Sequence, residues 1–243
     1  MKGKGQASYY VTAFFMVFFI QSLQMILVNN QKMDPCYYDV IMIYSRNASF
    51  ATYPVLSFFL LARGKVCFSY NYVVRSKSVR NLWNELVAHV LLWSIELTAI
   101  ICVSMVISGR LFTDSIYNWN KTGTIFNAFT GGQMTEAPGF GKIVLLFLGM
   151  TYMNVVIAGL IVYLGYWYTG YYWMGIILMM VYYLTPCFPG LDWGALNLNL
   201  QYQDFYLNTG VFKELLPRIE FMGIAGTVMY YLGLCQRKRD FYQ

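Results

Sequence analysis

Two side chains that can exchange a proton lie inside one long apolar run of the sequence. Glu96 falls near the middle of the run from about Leu86 to Ile107, and His89 precedes it by seven residues. That spacing is close to two helical turns, so both side chains share one face of a helix. An ionised carboxylate at membrane depth costs at least about 2.5 kcal/mol, so Glu96 is expected to face other helices, to be protonated or to find a partner.

The intramembrane polar residues have two interpretations. A neutral Glu96 can fix helix packing through hydrogen bonds, or it can be a polar point that lines a translocation path. The first apolar run carries two further polar side chains at membrane depth, Gln21 and Gln24. We treat all four residues as candidate site residues.

The sequence lacks the motifs with which soluble enzymes bind nucleotides, metals or acyl groups. There is no G-x-x-x-x-G-K-[ST] phosphate loop, and a single histidine excludes H-E-x-x-H. No G-x-S-x-G is present either. We therefore predict no catalytic residue, no metal ligand and no cofactor in this chain, and no enzymatic activity of the chain by itself.

Two alternatives to a transport function stay open. One is an intramembrane enzyme, protease-like or lipid-modifying, that uses Glu96 and His89, although the other apolar runs offer no second acidic or histidine cluster. The other is a non-transporting membrane protein that confers immunity or senses a ligand. The five cysteines do not decide between them, and whether Cys36 pairs with Cys187 is also left open.

The elements that must position these residues are membrane spans. Of the 243 residues, 58% are hydrophobic and 12% are charged, whereas an ordinary globular domain carries about 25% charged residues. Aromatics reach 19%, and such rings concentrate at membrane–water interfaces. We predict a single all-α integral membrane domain with about six transmembrane helices. The predicted spans are residues 9–28, 40–62, 86–107, 143–165, 171–188 and 219–235.

Basic residues orient these spans. Short loops near the spans collect more Lys and Arg on the cytoplasmic side, which favours cytoplasmic N- and C-termini. The residues on that side are Lys2, Lys4, Arg63, Lys65, Arg75, Lys77, Arg80, Arg237, Lys238 and Arg239. The net charge of +6 then reflects basic loops at an anionic leaflet, with no nucleic-acid partner. We expect a multi-pass protein of a bacterial plasma membrane.

Two long segments fall on the outer side. Gly109–Gly141 is polar and glycine-rich, and it is predicted to be an extracellular loop. Pro189–Pro217 is too polar to span and too apolar for a plain linker. A re-entrant or interfacial segment before the last span is therefore expected there.

The cytoplasmic segment Arg63–Trp83 alternates basic with apolar and aromatic residues. Ser76 or Ser78 is placed to cap a short helix. One interpretation is a basic loop that lies at the leaflet surface. The other is a short helix that docks into a partner protein.

The same segment carries a resemblance to a known family. An aromatic-rich second span ends in a stretch of the form Tyr72-x-x-Arg75-x-x-Ser78-x-x-x-x-Trp83, which leads directly into the third span. With the six spans, the cytoplasmic ends and the segment before the last span, this resembles the type-2 permease subunits of ATP-binding-cassette (ABC) exporters. The resemblance implies that about Tyr70–Trp83 is the coupling helix that meets the ATPase subunit. The coupling residues it carries over are Tyr70, Tyr72, Arg75, Ser78, Arg80 and Trp83.

The resemblance also implies partners and a mechanism. Two permease subunits, identical or paralogous, pair in the bilayer on two cytoplasmic ATPase subunits, which bind ATP and Mg. Substrate crosses between the permeases by alternating access, and an amphipathic peptide is the expected cargo. Methionine and aromatic side chains suit such cargo because they adapt to apolar bodies of varied shape.

Overall fold

The computed structural model describes residues 2–30, 33–48, 52–67, 78–134, 136–184, 200–206 and 211–235. Within those ranges the chain is helical and contains no strand. The helices are α1 (Lys2–Asn29), α2 (Tyr37–Ala48), α3 (Thr52–Cys67), α4 (Val79–Phe112), α5 (Ile125–Thr130), α6 (Phe140–Thr169), α7 (Tyr172–Leu184), α8 (Tyr202–Tyr206) and α9 (Val211–Cys235). The predicted all-α fold class is confirmed.

Three helices are long and apolar enough to cross a membrane. They are α1 from Ser8 onward, α4 and α6. The α4 helix has 34 residues, which corresponds to about 50 Å at 1.5 Å per residue. A hydrocarbon core is only about 30 Å thick, so α4 extends beyond the apolar layer. α7 is apolar but shorter, with 13 residues. The chain has the helices of a membrane protein.

Residue pairings show that α1 and α4 run in the same direction. Near the start of α1, Tyr10 contacts Glu96 of α4. Eleven residues further along α1, Gln21 contacts Ser104 of α4. Both partners advance together, so the two helices are parallel.

The α6 helix runs opposite to α4 and is followed by a tight return. Val90 of α4 faces Gly159 of α6, whereas Trp83 faces Trp167. The α6 helix ends at Thr169, and the capping residue Gly170 has a φ of 81°, the left-handed conformation that glycine adopts without strain. α7 then packs back along α6, so the two helices form a hairpin.

The predicted second span is formed by two helices. α2 ends at Ala48 and α3 begins at Thr52, while residues 49–51 lie outside the described ranges. Pro54 lies in the first turn of α3, where its missing N–H removes no helical hydrogen bond. Tyr44 of α2 packs on Phe147 of α6. Further along, Tyr163 of α6 donates to the carbonyl of Leu60 at 2.5 Å, so α2 and α3 both follow the direction of α6.

The helix that contains the predicted last span, residues 219–235, is longer than that span. α9 starts at Val211 and contains Pro217. Of the predicted re-entrant segment 189–217, residues 189–199 and 207–210 lie outside the described part of the chain. The described remainder forms α8 and the first turns of α9.

One end of the bundle is closed by a folded cap, which we define as residues 33–39, 113–134, 136–139 and 200–206. It contains most of the predicted extracellular loop 109–141, together with α5 and α8. The backbone N–H of Tyr37 donates to the carbonyl of Ser115 at 2.9 Å, and the amide of Asn118 donates to the carbonyl of Asp34 at 2.8 Å. The predicted loop is therefore held to the start of α2 by direct hydrogen bonds.

The carboxylate of Asp39 lies at the centre of the cap and is fully buried. Its Oδ2 accepts from the backbone N–H of Cys36 at 2.9 Å. Its Oδ1 accepts from Trp119 Nε1 at 2.8 Å and from the Tyr202 hydroxyl at 3.0 Å. Burial raises the pKa of Asp39, while these donors act in the opposite direction. Three segments that are distant in sequence therefore meet at one acceptor.

An ion pair joins the cap to α9. Arg218 donates to both carboxylate oxygens of Asp204, at 2.8 and 2.6 Å. Asp204 also accepts from the backbone N–H of Gln201 at 2.8 Å, which caps the start of α8. Cys36 in the cap is a buried free thiol whose pKa is raised by burial. Cys187, whose pairing with Cys36 the sequence left open, lies outside the described residues.

Candidate functional site

The end of the bundle opposite the cap holds the start of α4. Ser78 caps this helix, since its Oγ accepts from the backbone N–H of Asn81 at 3.1 Å. A serine cap was predicted at position 76 or 78, and position 78 is confirmed. The helix it starts is the long α4 and not a separate short one. Tyr70, Tyr72 and Arg75 of the predicted coupling segment lie outside the described residues.

Arg80 and Trp83 point in different directions from the first turns of α4. Arg80 is exposed, whereas Trp83 is fully buried. Trp83 Nε1 donates to the carbonyl of Tyr230 at 3.0 Å, and its ring lies 5.3 Å from that of Trp167. Trp167 Nε1 in turn donates to the carbonyl of Gly233 at 3.1 Å. Two indoles therefore connect the start of α4 to the ends of α6 and α9.

Gly233 makes this connection possible. A Cβ atom built on Gly233 would lie 1.9 Å from the nearest ring atom of Trp83. Two other glycines of α9, Gly223 and Gly226, have no heavy atom within 4 Å of such a Cβ. Close approach at Gly233 is thus a requirement of packing, because only a residue without a Cβ atom fits against the Trp83 ring.

Glu96 has a partner that sequence reasoning missed. Arg63 of α3 forms an ion pair with Glu96 through its Nη1. The Tyr10 hydroxyl donates to Glu96 Oε2 at 2.6 Å and accepts from Arg63 Nη2 at 2.7 Å. Arg63 was assigned to the cytoplasmic segment because it follows the second apolar run. An uncompensated acid at membrane depth was the signal that a cation had to lie nearby.

Aromatic rings surround the Arg63 guanidinium. Its Cζ atom lies 5.2 Å from the ring centre of Tyr9, 5.0 Å from that of Tyr10 and 5.2 Å from that of Trp93. These distances are within the range of cation–π attraction. We name the group formed by Tyr9, Tyr10, Trp93 and Glu96 the Arg63 cage.

His89 lies one helical turn before Trp93. Its ring stacks on the Trp93 indole at 5.1 Å with an interplanar angle of 5°. His89 therefore supports the Arg63 cage from the side of α4 that leads to Ser78. The described part of the chain contains no group of His, Cys, Asp and Glu side chains that could hold a metal ion.

The two predicted glutamines behave differently. Gln21 is buried, and its Oε1 accepts from the hydroxyl of Ser104 at 2.5 Å and from that of Ser108 at 3.3 Å. This small polar group fixes α1 on α4. Gln24 has a buried Oε1 with no hydrogen-bond partner among the described residues.

An apolar groove lies between α4, α6 and α9. Its volume is about 410 Å³. Its floor includes Gly223 and Gly226, and its walls carry two methionines and three tyrosines beside aliphatic side chains. These five residues are Met153, Met222, Tyr152, Tyr230 and Tyr231.

Comparison with known protein families, with curated proteins and with solved structures found no match. The likeness to type-2 permease subunits therefore remains a resemblance of predicted span number, segment order and the pattern from Tyr72 to Trp83.

Proposed function

We propose that this chain is the membrane-spanning permease subunit of an ABC exporter. It would have six spans, with its termini on the cytoplasmic side of the plasma membrane and the cap outside. Two permeases, identical or paralogous, would work with two ATPase subunits that supply ATP and Mg. The observation that carries this proposal is the connection between the exposed start of α4 and the bundle through Trp83 and Trp167.

A coupling segment needs both a free face and a rigid attachment. Arg80 supplies an exposed basic group directly after the basic segment that ends at Lys77. Trp83 attaches the same turn to α6 and α9 with its ring and its Nε1 donor. Because a packed interior transmits displacement instead of absorbing it, a push on Arg80 would move three helices together.

Helix directions support six spans. α1, α4 and α7 run from the Trp83 end towards the cap, while α2 with α3, α6 and α9 run back. Helix direction therefore reverses at each predicted loop, as a six-span chain requires. The orientation with the cap outside rests on the Lys and Arg count of the short loops.

The cargo we propose is an amphipathic peptide. The groove between α4, α6 and α9 offers adaptable methionine and tyrosine surface to apolar side chains. No observation favours the intramembrane enzyme, because the carboxylate of Glu96 is paired with Arg63 and hydrogen-bonded to Tyr10.

The coupling proposal is tested by charge reversal. The Arg75→Glu/Arg80→Glu variant, expressed in its native host and purified through an affinity tag, should lose most of the ATPase subunit that co-purifies with the wild type, or lose its substrate-stimulated ATP hydrolysis. Arg110→Glu is the control, since Arg110 is also exposed but lies at the cap end of α4. Wild-type complex yield and ATP turnover in the double variant would refute the proposal. So would the finding that the wild-type chain forms no complex with any ATPase.

The orientation is tested by labelling whole cells. In a background without the five native cysteines, a cysteine at exposed Lys121 of the cap should react with an impermeant maleimide. A cysteine at exposed Arg80 should react only after the cells are opened. Labelling of position 80 in intact cells would reverse the orientation.

A further inference from the structure

The Arg63 cage has the composition of a site for organic cations. Three aromatic rings lie 5.0–5.2 Å from one guanidinium carbon, and the Glu96 carboxylate and the Tyr10 hydroxyl complete the polar contacts. Aromatic rings combined with a carboxylate are the groups with which proteins recognise guanidinium and quaternary ammonium ions. In this structure the cation is supplied by the chain itself.

We propose that the Arg63 cage is a binding site for guanidinium or alkylammonium groups, and that Arg63 occupies it as a tethered internal ligand. An external cation binds by replacing the Arg63 guanidinium between the three rings. Glu96 keeps one positive partner before and after the exchange, so the net charge inside the cage is unchanged.

The Arg63 cage is open on one side, and one of its polar groups has no hydrogen-bond partner among the described residues. The Glu96 side chain is 41% exposed, whereas that of Arg63 is 17% exposed. An incoming cation can therefore reach the carboxylate before Arg63 has left. The hydroxyl of Tyr9 is buried and has no hydrogen-bond partner within the described ranges.

The Arg63 side chain can also extend to the membrane interface. It lies four residues before the end of α3 at Cys67, on the side of the bundle that faces the predicted basic loops. A long arginine side chain near a helix end can extend its charged group to the membrane interface while its methylene stem stays in the apolar layer. When the Arg63 guanidinium leaves the cage, it therefore moves to the membrane interface, where its charge is solvated. The exchange leaves no unpaired charge in the apolar layer.

This site adds a positive group to the cargo expected for the proposed export function, and only that link to export rests on the proposed function. Cation binding itself needs no ATPase. A chain that binds the cation but forms no complex with an ATPase would keep this inference and refute the export proposal. A chain that is coupled to an ATPase but binds no cation would keep the export proposal and refute this inference.

The test measures binding of benzylguanidinium to the purified chain in detergent by isothermal titration calorimetry. Arg63→Ala removes the internal competitor, so we expect it to bind at least tenfold more tightly than the wild type. The added ligand should also raise the melting temperature of Arg63→Ala more than that of the wild type. Benzylurea, a neutral analogue of similar shape, should do neither.

Two variants locate the effect. Arg63→Ala/Glu96→Gln removes the carboxylate charge and should return the affinity to the wild-type level or below it. Arg110→Ala removes an arginine outside the cage and should leave the wild-type affinity unchanged. Equal binding by wild type and Arg63→Ala, or by Arg63→Ala with and without Glu96→Gln, would overturn the proposal. If Arg63→Ala does not fold alone, benzylguanidinium but not benzylurea should restore its yield, and failure to do so would equally overturn it.

Discussion

Asp39 and Glu96 are acidic residues towards opposite ends of one helical bundle, and their surroundings differ in burial and in the charge of the partner groups. Asp39 is fully buried in the cap and accepts hydrogen bonds from three neutral donors. Glu96 is part-exposed and is paired with a charged side chain. The donors of Asp39 are a backbone N–H and two buried side chains, Trp119 and Tyr202. The partner of Glu96 lies on a long, flexible side chain.

The contrast separates a structural carboxylate from one suited to exchange. Neutral donors held by backbone and rings cannot be replaced by a ligand without opening the cap. A guanidinium held by cation–π contacts and one carboxylate can be replaced by another cation of the same chemistry. The hydrogen bonds of Asp39 therefore hold the cap together, whereas Glu96 and the rings of the Arg63 cage can bind an external cation.

The largest effect is expected for Asp39→Ala. It leaves the Cys36 N–H, the Trp119 indole N–H and the Tyr202 hydroxyl without their acceptor, at about 1–3 kcal/mol for each buried group. Thermal unfolding of the purified protein should show a large drop in midpoint, or the protein should fail to accumulate. Asp114→Ala removes an exposed acid from the same cap and should change little. Equal thermal unfolding midpoints for Asp39→Ala and Asp114→Ala would show that Asp39 does not stabilise the cap.

The next effect concerns the Trp83 end. In Gly233→Ala the new methyl group overlaps the Trp83 ring, and overpacking of this kind costs about 1–3 kcal/mol. Gly226→Ala adds the same methyl group to the same helix where nothing lies within 4 Å. We expect a lower melting temperature for Gly233→Ala only. Equal stability of the two variants would mean that the contact between α9 and Trp83 is loose.

A smaller effect is expected at Glu96. Glu96→Gln keeps an oxygen acceptor for Tyr10 and Arg63 and removes only the charge, and part-exposed ion pairs contribute about 0–1 kcal/mol. Glu96→Leu removes the acceptor as well and should cost about 1–3 kcal/mol. Melting temperatures should therefore fall in the order wild type, Gln, Leu. Should Glu96→Gln be as unstable as Asp39→Ala, the two carboxylates would not differ as described.

The smallest effect is a pH dependence carried by Asp39. Burial raises its folded pKa above the usual value of about 3.9, so the folded cap holds this proton more tightly than the unfolded chain does. Stability from this group is then greatest below about pH 4 and is lost as the pH rises through the folded pKa. Melting curves between pH 4 and 7.5 should show this slope in the wild type and a shallower one in Asp39→Asn. If the melting temperatures of the wild type and Asp39→Asn change in parallel with pH, Asp39 does not carry this pH dependence.

Sequence reasoning located the long apolar helices, and these helices continue beyond the apolar runs that were predicted to span the membrane. The third predicted span, residues 86–107, is the middle of α4, which runs from Val79 to Phe112. Hydropathy reports the length of chain that tolerates lipid, whereas a helix continues through polar turns that carry a cap, such as the one at Ser78.

The sequence by itself determined that this is an all-helical membrane protein, because charge depletion and apolar run length depend only on composition along the chain. Only the tertiary structure decided which residues meet. Asp39 binds Trp119 and Tyr202 across 80 and 163 positions of sequence, and Arg63 reaches Glu96 across 33. Periodicity tells which face of a helix is buried but not which helix covers it. The neighbour is set by packing all the helices at once, which no single segment encodes.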